Sequence, residues 1–193
     1  MGLDEKDRKI ISILRKDGRA TYKEIGETLG FSITGAKKRT DKMMEESLVK
    51  VEGSVNVDAL GYHAALILIE IDSQNMKNVL SRFERCPRVV NLFTLLSGYN
   101  LAALVIAEDQ DTLESESLEK CSLRNQEGIR RSEFYPIGEI HYTPFLPVRE
   151  ELFTGSERDA PCGVNCGECS RYLEDKCLGC PATKYYRGFK PAG

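Results

Sequence analysis

Thr21–Glu46 reads TYKEIGETLGFSITGAKKRTDKMMEE, and its local signals mark the limits of two short helices. Thr21 and Glu24 have the spacing of a capping box, in which each side chain accepts a hydrogen bond from the other residue's backbone amide. Gly30 suits the end of the first helix, and Ser32 suits the start of a second that continues to the end of the stretch. Two helices joined by a turn of about three residues predict a helix-turn-helix unit.

The residues on either side extend this unit. Asp4 is a good helix N-cap, and the apolar residues after it recur at helical spacing, which predicts a preceding helix. Downstream, Val49–Val57 alternates apolar and polar residues around Gly53 and Ser54, which predicts a tight hairpin. We therefore expect residues 1–60 to form a winged helix-turn-helix domain.

The second helix of the stretch carries a basic surface that suits the major groove of DNA. Its capped first turn would face base edges, with Thr34, Lys37 and Lys38 as candidates for base contacts, whereas Asp41 on the same helix would repel phosphate. Basic residues on a helix usually form only a solvated face, but the ordered series of helix, capped helix, turn and basic helix favours DNA binding. The full set of predicted contacts to bases and phosphates is Thr21, Tyr22, Ser32, Thr34, Lys37, Lys38, Arg39 and Lys42.

Charge and hydropathy restrict the class of protein. The net charge is −3, with 12 Lys and Arg against 10 Asp and Glu in residues 1–53 but 9 against 14 in residues 54–150. This distribution argues against a protein that coats nucleic acid indiscriminately. The longest apolar run, Ala64–Ile69, is too short to span a membrane, and the charged N-terminal residues are unlike a signal peptide. We expect a cytoplasmic protein without a membrane partner.

Residues 61–143 alternate strand and helix patterns in the order βαββαβ. This order implies an α+β fold, with an antiparallel sheet and both helices on one of its faces. Self-association into a homodimer or a larger homo-oligomer would cover the other face. Cys86 and Cys121 fall in or beside the two helices, where a cysteine usually serves as a small buried side chain.

Residues 144–161 contain several proline residues and predict a linker to a cysteine-rich module at residues 162–193. This module holds five of the seven cysteines, with the spacing C-x3-C-x2-C-x7-C-x2-C. In a reducing compartment such a cluster indicates a metal site, because converging thiolates repel one another unless a cation lies between them. The predicted ligands are Cys162, Cys166, Cys169, Cys177 and Cys180.

Two kinds of metal centre suit this spacing. The two C-x2-C pairs suit a tetrahedral zinc ion, although the loop between them is short and one cysteine is left unused. The C-x3-C-x2-C run and the Cys180-Pro181 step suit a [4Fe-4S] cluster. We favour the [4Fe-4S] cluster and keep zinc as the alternative.

Segments in the first 61 residues resemble, in order, the Lrp/AsnC (feast/famine) family of transcription regulators. The segments are Leu3–Asp7, Ile13-Leu14, Asp17–Arg19, Gly30–Thr34, Arg39, Glu46, Leu48-Val49, Asn56-Val57 and Leu60-Gly61. A looser resemblance extends to about residue 143. The resemblance implies that the third helix recognises DNA, and that the second domain is ferredoxin-like and forms dimers.

The family resemblance also implies an amino-acid site near the turn that follows the second strand of that domain. In this chain the corresponding turn, Ser97–Asn100, is shorter, and Asn100 stands where the family usually has Asp. We therefore do not expect a small-molecule effector of this kind.

These features predict a sequence-specific DNA-binding transcription regulator whose cysteine cluster acts as a redox or metal sensor. No catalytic residue is assigned. Two alternatives stay open: a regulator with a purely structural zinc ion, and an iron–sulfur protein-disulfide reductase that also binds DNA. The second rests on C-x2-C pairs, which exchange disulfides when one of the two thiols is acidified.

Overall fold

The computed structural model describes residues 2–188 and divides between Gly53 and Ser54 into two units. The predicted limit of the first domain, residue 60, lies beyond this division, and residues 189–193 of the predicted cysteine-rich module lie outside the described residues. No helix within residues 2–188 combines the length and the apolar character needed to cross a lipid bilayer.

The first unit contains three helices, α1 (Glu5–Lys16), α2 (Tyr22–Leu29) and α3 (Ile33–Glu45). They pack around a small apolar core. Its fully buried members are Ile10, Ile25, Ala36 and Met43.

Local hydrogen bonds fix the limits of these helices at the positions that the sequence predicts. Asp4, Thr21 and Ser32 are the three N-caps. Thr21 forms the expected capping box with Glu24, and Gly30 ends α2 in the left-handed conformation, with φ of 70°. The predicted helix-turn-helix is therefore confirmed.

The predicted hairpin at Val49–Val57 is wrong. Residues 49–53 form no strand, and Val49 packs against the core of the first unit. Val55–Asn56 forms strand β1, which pairs antiparallel with β6 (Phe145–Leu146) of the second unit. Val49 and Val57 thus pack into two different cores, Val51 is exposed, and no wing forms within residues 2–53.

The second unit has the predicted order βαββαβ. Its elements are β2 (His63–Ile71), α4 (Ser73–Phe83), β3 (Val89–Thr94), β4 (Leu101–Ala107), α5 (Gln110–Leu118) and β5 (Ile129–Pro136). The four strands form an antiparallel sheet in the order β3-β4-β2-β5. Ile67 and Ile69 of β2 share a core with Val79 of α4 and Leu113 of α5, so both helices cover the same face. The predicted ferredoxin-like domain is confirmed.

The chain after β5 packs onto this domain. It contains short 3-10 helices at Glu150–Leu152 and Cys166–Glu168, followed by α6 (Ser170–Leu173). Ala160 and Cys162 are buried in the same core as β2, α4 and α5. The predicted linker and tail therefore differ from a separate module, because so short a segment lacks the apolar surface for a core of its own.

Candidate DNA-binding surface and cysteine cavity

The outer surface of α3 presents basic and polar side chains to solvent. Thr34, Lys37, Lys38 and Lys42 are all exposed. Lys42 forms a 3.8 Å ion pair with Glu46, one helical turn further along the chain. Such surface pairs contribute little free energy, so these ammonium groups stay available to a phosphate.

Asp41, the acidic residue on this basic helix, is bound within the first unit. It accepts a 2.9 Å hydrogen bond from the Tyr22 hydroxyl and pairs with Lys37. The hydrogen bond from Lys37 is the larger cause that lowers the pKa of Asp41, and the one from Tyr22 adds to it. Asp41 therefore connects α2 to α3, and its charge is partly compensated before any DNA approaches.

Arg39 is directed toward α1. Its Nε donates a 2.6 Å hydrogen bond to Asp7 Oδ1, and its Nη2 pairs with Asp4. The hydrogen bond from Arg39 lowers the pKa of Asp7. Arg39 thus links α3 to the first turn of α1 in this structure, and its contact with phosphate stays a prediction.

The hydroxyl groups of Thr21 and Ser32 act as helix caps. Thr21 Oγ1 accepts a 3.2 Å hydrogen bond from the Glu24 amide, and Ser32 Oγ accepts one of 3.0 Å from the Gly35 amide. Both residues are exposed at helix N-termini, where the helix dipole favours an anion such as phosphate. DNA contact by either residue also stays a prediction.

A single cavity of about 30 Å³ in the second unit is lined by all seven cysteines. Five of them are the predicted metal ligands of the tail. Cys86 and Cys121 follow α4 and α5, and sequence analysis assigned them only ordinary buried roles. No sequence spacing relates these two residues to the tail, so only the tertiary structure reveals their place. The lining cysteines are Cys86, Cys121, Cys162, Cys166, Cys169, Cys177 and Cys180.

The seven cysteines are free thiols. Within residues 2–188, no group of three or more His, Cys, Asp or Glu side chains is arranged closely enough to hold a metal ion. The predicted metal centre and its ligands therefore stay predictions.

A buried arginine supplies positive charge at the cavity wall. Arg88 is 4% exposed and forms a 2.8 Å ion pair with Glu108 and a longer one, 3.5 Å, with Glu116. Its Nη2 also donates a 2.6 Å hydrogen bond to the carbonyl oxygen of Gly179. The charge of this cation is thus already balanced by buried carboxylates, in surroundings that water does not screen.

Burial keeps most of these thiols protonated. It raises the pKa of Cys180 to about 12 and is also the largest cause of the raised pKa of five others. These five are Cys86, Cys121, Cys162, Cys166 and Cys169. A thiolate that attacks a disulfide needs the opposite shift, since a lowered pKa is what makes a cysteine reactive at neutral pH.

Backbone geometry shapes the loop that carries the last two cysteines. The amide of Cys180 donates a 3.3 Å hydrogen bond to Cys166 Sγ. Gly179 has φ of +81°, and a Cβ atom there would lie 2.7 Å from the carbonyl oxygen of Tyr185. This turn therefore requires glycine.

The tail is docked on an unusually polar face of α5. Thr112, Ser115 and Glu116 are all buried on this helix. Thr112 Oγ1 accepts a 3.1 Å hydrogen bond from the Leu178 amide, and Arg171 Nε donates one of 2.8 Å to Ser115 Oγ. The tail therefore supplies hydrogen-bond partners to the Thr112 and Ser115 hydroxyl groups that it covers.

Comparison with known proteins gives matches to a helix-turn-helix family model and to transcription regulators. The family model of the AsnC-type helix-turn-helix domain matches residues 3–44. The HTH-type transcriptional regulator FL11 of Pyrococcus abyssi is 30% identical over 117 residues, which span 60% of this chain and 78% of FL11.

Two solved structures share the fold. AsnC of E. coli matches with a TM-score of 0.66 and 20% identity, over 74% of this chain and 97% of its own. The transcriptional regulator NMB0573 of Neisseria meningitidis, solved as a complex with L-Met, matches with a TM-score of 0.65 and 20% identity, over 78% of this chain and 100% of its own. About a quarter of this chain has no counterpart in AsnC.

Proposed function

We propose that this chain, which belongs to the Lrp/AsnC family of helix-turn-helix transcription regulators, reads specific sites on double-stranded DNA through α3. From its cysteines we also propose that the cavity holds a redox-sensing [4Fe-4S] cluster. The proposal for DNA rests chiefly on one observation, the exposed row of Thr34, Lys37, Lys38 and Lys42 on the second helix of the helix-turn-helix. In such units the second helix enters the major groove.

Different residues of α3 contribute differently to recognition. Lys38 and Lys42 supply charge for phosphates, which raises affinity without selecting a sequence. Thr34, in the first turn, is placed to contact base edges, which select the sequence. Arg39 acts mainly by holding α3 against α1, since its guanidinium is bound to Asp4 and Asp7.

Charge reversal on α3 tests the DNA-binding proposal. A pool of random duplexes enriched on the wild-type protein supplies a binding site, and affinity for that site is measured for Lys38→Glu/Lys42→Glu. We expect affinity to fall by at least about tenfold, because two phosphate contacts become repulsions. Lys9→Glu/Lys16→Glu, the same charge change on exposed positions of α1, is the matched control. Equal affinities of the two double variants would refute recognition by α3.

Only part of the sheet face away from the helices is covered, by Val57 and Val148 against Ala64 and Ile106, and its exposed part supports self-association. Leu66 and Leu68 of β2 are half-buried on the side away from the helices, and Phe93 of β3 is 45% exposed. We propose a homodimer, or a larger homo-oligomer, that buries this face. Phe93→Asp should lower the mass measured by light scattering, whereas Leu173→Asp, an exposed apolar control on α6, should not. An unchanged mass for Phe93→Asp would place the interface elsewhere.

The donor set of the cavity suits a thiolate-bound metal centre. Seven thiols are soft ligands of the kind that iron–sulfur clusters and zinc select. Cys162, Cys166 and Cys169 supply the C-x3-C-x2-C run, with Cys177 or Cys180 as a further ligand. A bound [4Fe-4S] cluster would supply a centre that gains or loses an electron, whereas a structural zinc ion would not.

Spectroscopy and binding together test the cofactor and its role. Protein purified without oxygen should absorb broadly near about 400 nm and contain iron and sulfide, whereas zinc gives no such band. Affinity for the selected DNA is then compared between cluster-loaded and air-oxidised protein. Equal affinities would remove the sensing role, and colourless protein with bound zinc would establish the structural alternative. The disulfide-reductase alternative needs an acidified thiol, whereas burial raises the pKa of Cys162, Cys169 and Cys180.

A further inference from the structure

Two cysteines outside the tail belong to the same cavity as the tail cysteines. Cys86 lies between α4 and β3, and Cys121 lies after α5, so both are part of the ferredoxin-like domain. Cys86 is 9% exposed.

The apolar surroundings of the cavity are continuous from the domain to the tail. Cys86 of the domain and Cys162 of the tail are buried in one cluster that also contains Val79 and Phe83 of α4. Cys121 and Cys180 pack against the same cluster. The two sources of thiols are thus parts of one core, and the cavity does not belong to the tail alone.

Polar contacts hold the cysteine loops against the domain from two sides. Arg88 donates to Gly179, between Cys177 and Cys180, and Thr112 accepts from the Leu178 amide in the same loop. Cys169 Sγ lies 3.6 Å from Glu119 Oε2, just after α5. These contacts hold the loops that carry Cys169, Cys177 and Cys180 at the wall of the cavity that Cys86 and Cys121 also line.

We infer that the metal centre is shared between the two parts of the chain, with Cys86 or Cys121 supplying at least one thiolate to a centre that the tail cysteines also bind. The inference rests on the proposed metal centre but not on DNA binding. Three closely spaced cysteines and one distant cysteine are a known arrangement for iron–sulfur ligation, and the ferredoxin-like domain supplies such distant cysteines here. Each thiol that becomes a ligand releases its proton, and the bound centre then fastens the tail to α4 and α5.

Cobalt(II) titration of the full-length, reduced protein tests this inference, because thiolate-to-cobalt absorption reports bound sulfur whatever the native metal is. Iron and sulfide reconstitution without oxygen is run in parallel, with iron measured per chain. The variants are Cys86→Ser, Cys121→Ser and the double variant. Val79→Ala, a buried truncation in the same core that does not line the cavity, controls for loss of packing.

We expect the double variant to bind cobalt at least about tenfold more weakly than wild type, since even the loss of an outer partner of a metal ligand costs that much. Val79→Ala should bind like wild type. Circular dichroism shows whether Cys86→Ser still folds. If it does not, the test uses Cys121→Ser, whose position is half-buried, together with the intensity of the thiolate-to-cobalt band of wild type.

The possible results separate the two proposals. Wild-type protein that takes up neither cobalt nor iron would refute the metal centre itself. Wild-type protein that loads fully while Cys121→Ser and the double variant load equally well would overturn the shared site and leave the five tail cysteines as the whole ligand set.

Discussion

Arg88 Nη2 donates a 2.6 Å hydrogen bond to the carbonyl oxygen of Gly179, which lies between the last two cysteines of the chain. The same guanidinium is ion-paired with Glu108 and Glu116. One buried cation therefore joins the sheet, α5 and the cysteine loop, and the stability of the second unit depends on it.

Replacing Arg88 should destabilise the second unit severely. Arg88→Met leaves two buried carboxylates without their cation, which costs about 3–5 kcal/mol when one partner of a buried pair is removed. Urea unfolding followed by circular dichroism measures this loss. The triple variant Arg88→Met/Glu108→Gln/Glu116→Gln should recover much of it, since no uncompensated charge remains. A triple variant as unstable as Arg88→Met would show that the hydrogen bond to Gly179 matters more than charge.

The contact between Asp7 and Arg39 predicts a pH dependence of the first unit. Arg39 lowers the pKa of Asp7 in the folded state below the value of about 3.9 usual for an unfolded chain. A lowered folded pKa stabilises the protein above the unfolded pKa, and this stabilisation is lost as the pH falls through the folded pKa. Asp7→Asn should therefore be less stable than wild type at neutral pH, with a difference that shrinks as the solution becomes acidic.

Urea unfolding of both proteins at several pH values checks this expectation. Asn retains one oxygen for the Asp4 amide but loses the second acceptor, which binds Arg39, so the change of the difference with pH is what reports the charge. Glu27→Gln controls for the loss of an exposed carboxylate. A stability difference between Asp7→Asn and wild type that is constant with pH would contradict the assigned ion pair.

Salt dependence should separate the two kinds of contact on α3. Lys38→Gln removes a phosphate contact, so the slope of log affinity against log salt should become shallower by about one, with similar losses on all sequences. Thr34→Ala should leave that slope unchanged and reduce discrimination between the selected site and random DNA. The reverse pattern would exchange the roles assigned to these two residues.

Asn100 should prove structural. Its Nδ2 donates a 2.7 Å hydrogen bond to the Ile71 carbonyl, and its Oδ1 accepts one of 3.0 Å from the Ile71 amide. Asn100→Asp places a carboxylate oxygen against that carbonyl and should destabilise the unit by about 1–3 kcal/mol. Asn91→Asp, an exposed position on β3, is the matched control in thermal unfolding. Equal unfolding temperatures for the two variants would contradict this role.

Local signals in the sequence were sufficient where the deciding interactions are themselves local. The capping box of Thr21 and Glu24 and the left-handed Gly30 involve residues a few positions apart, so the limits of α2 could be predicted. The βαββαβ order was predicted from the succession of apolar strand and helix patterns, but the continuous apolar run of β2 does not itself show which face is buried. The cysteine spacing of the tail predicts a metal centre, and that centre stays a prediction.

Predictions failed or fell short where the partner lies far along the chain. Val55 has the same local pattern as a hairpin residue, yet its strand pairs with Phe145–Leu146. The sequence did not predict that Arg39 binds Asp4 and Asp7 at the start of α1, and its contact with phosphate stays a prediction. Cys86 and Cys121 have no spacing motif, and only the folding of the tail onto α4 and α5 brings them to the cavity.

The sequence by itself determined the three helices of the first unit, the order of strands and helices in the second, and the presence of a thiol-rich tail. Only the tertiary structure decided that the tail belongs to the ferredoxin-like core and that all seven cysteines line one cavity. The physical reason is the distance along the chain between the residues that interact. Caps and periodic apolar faces depend on neighbours in the chain, whereas burial of Arg88 and Cys86 depends on segments that are about ninety residues away from them.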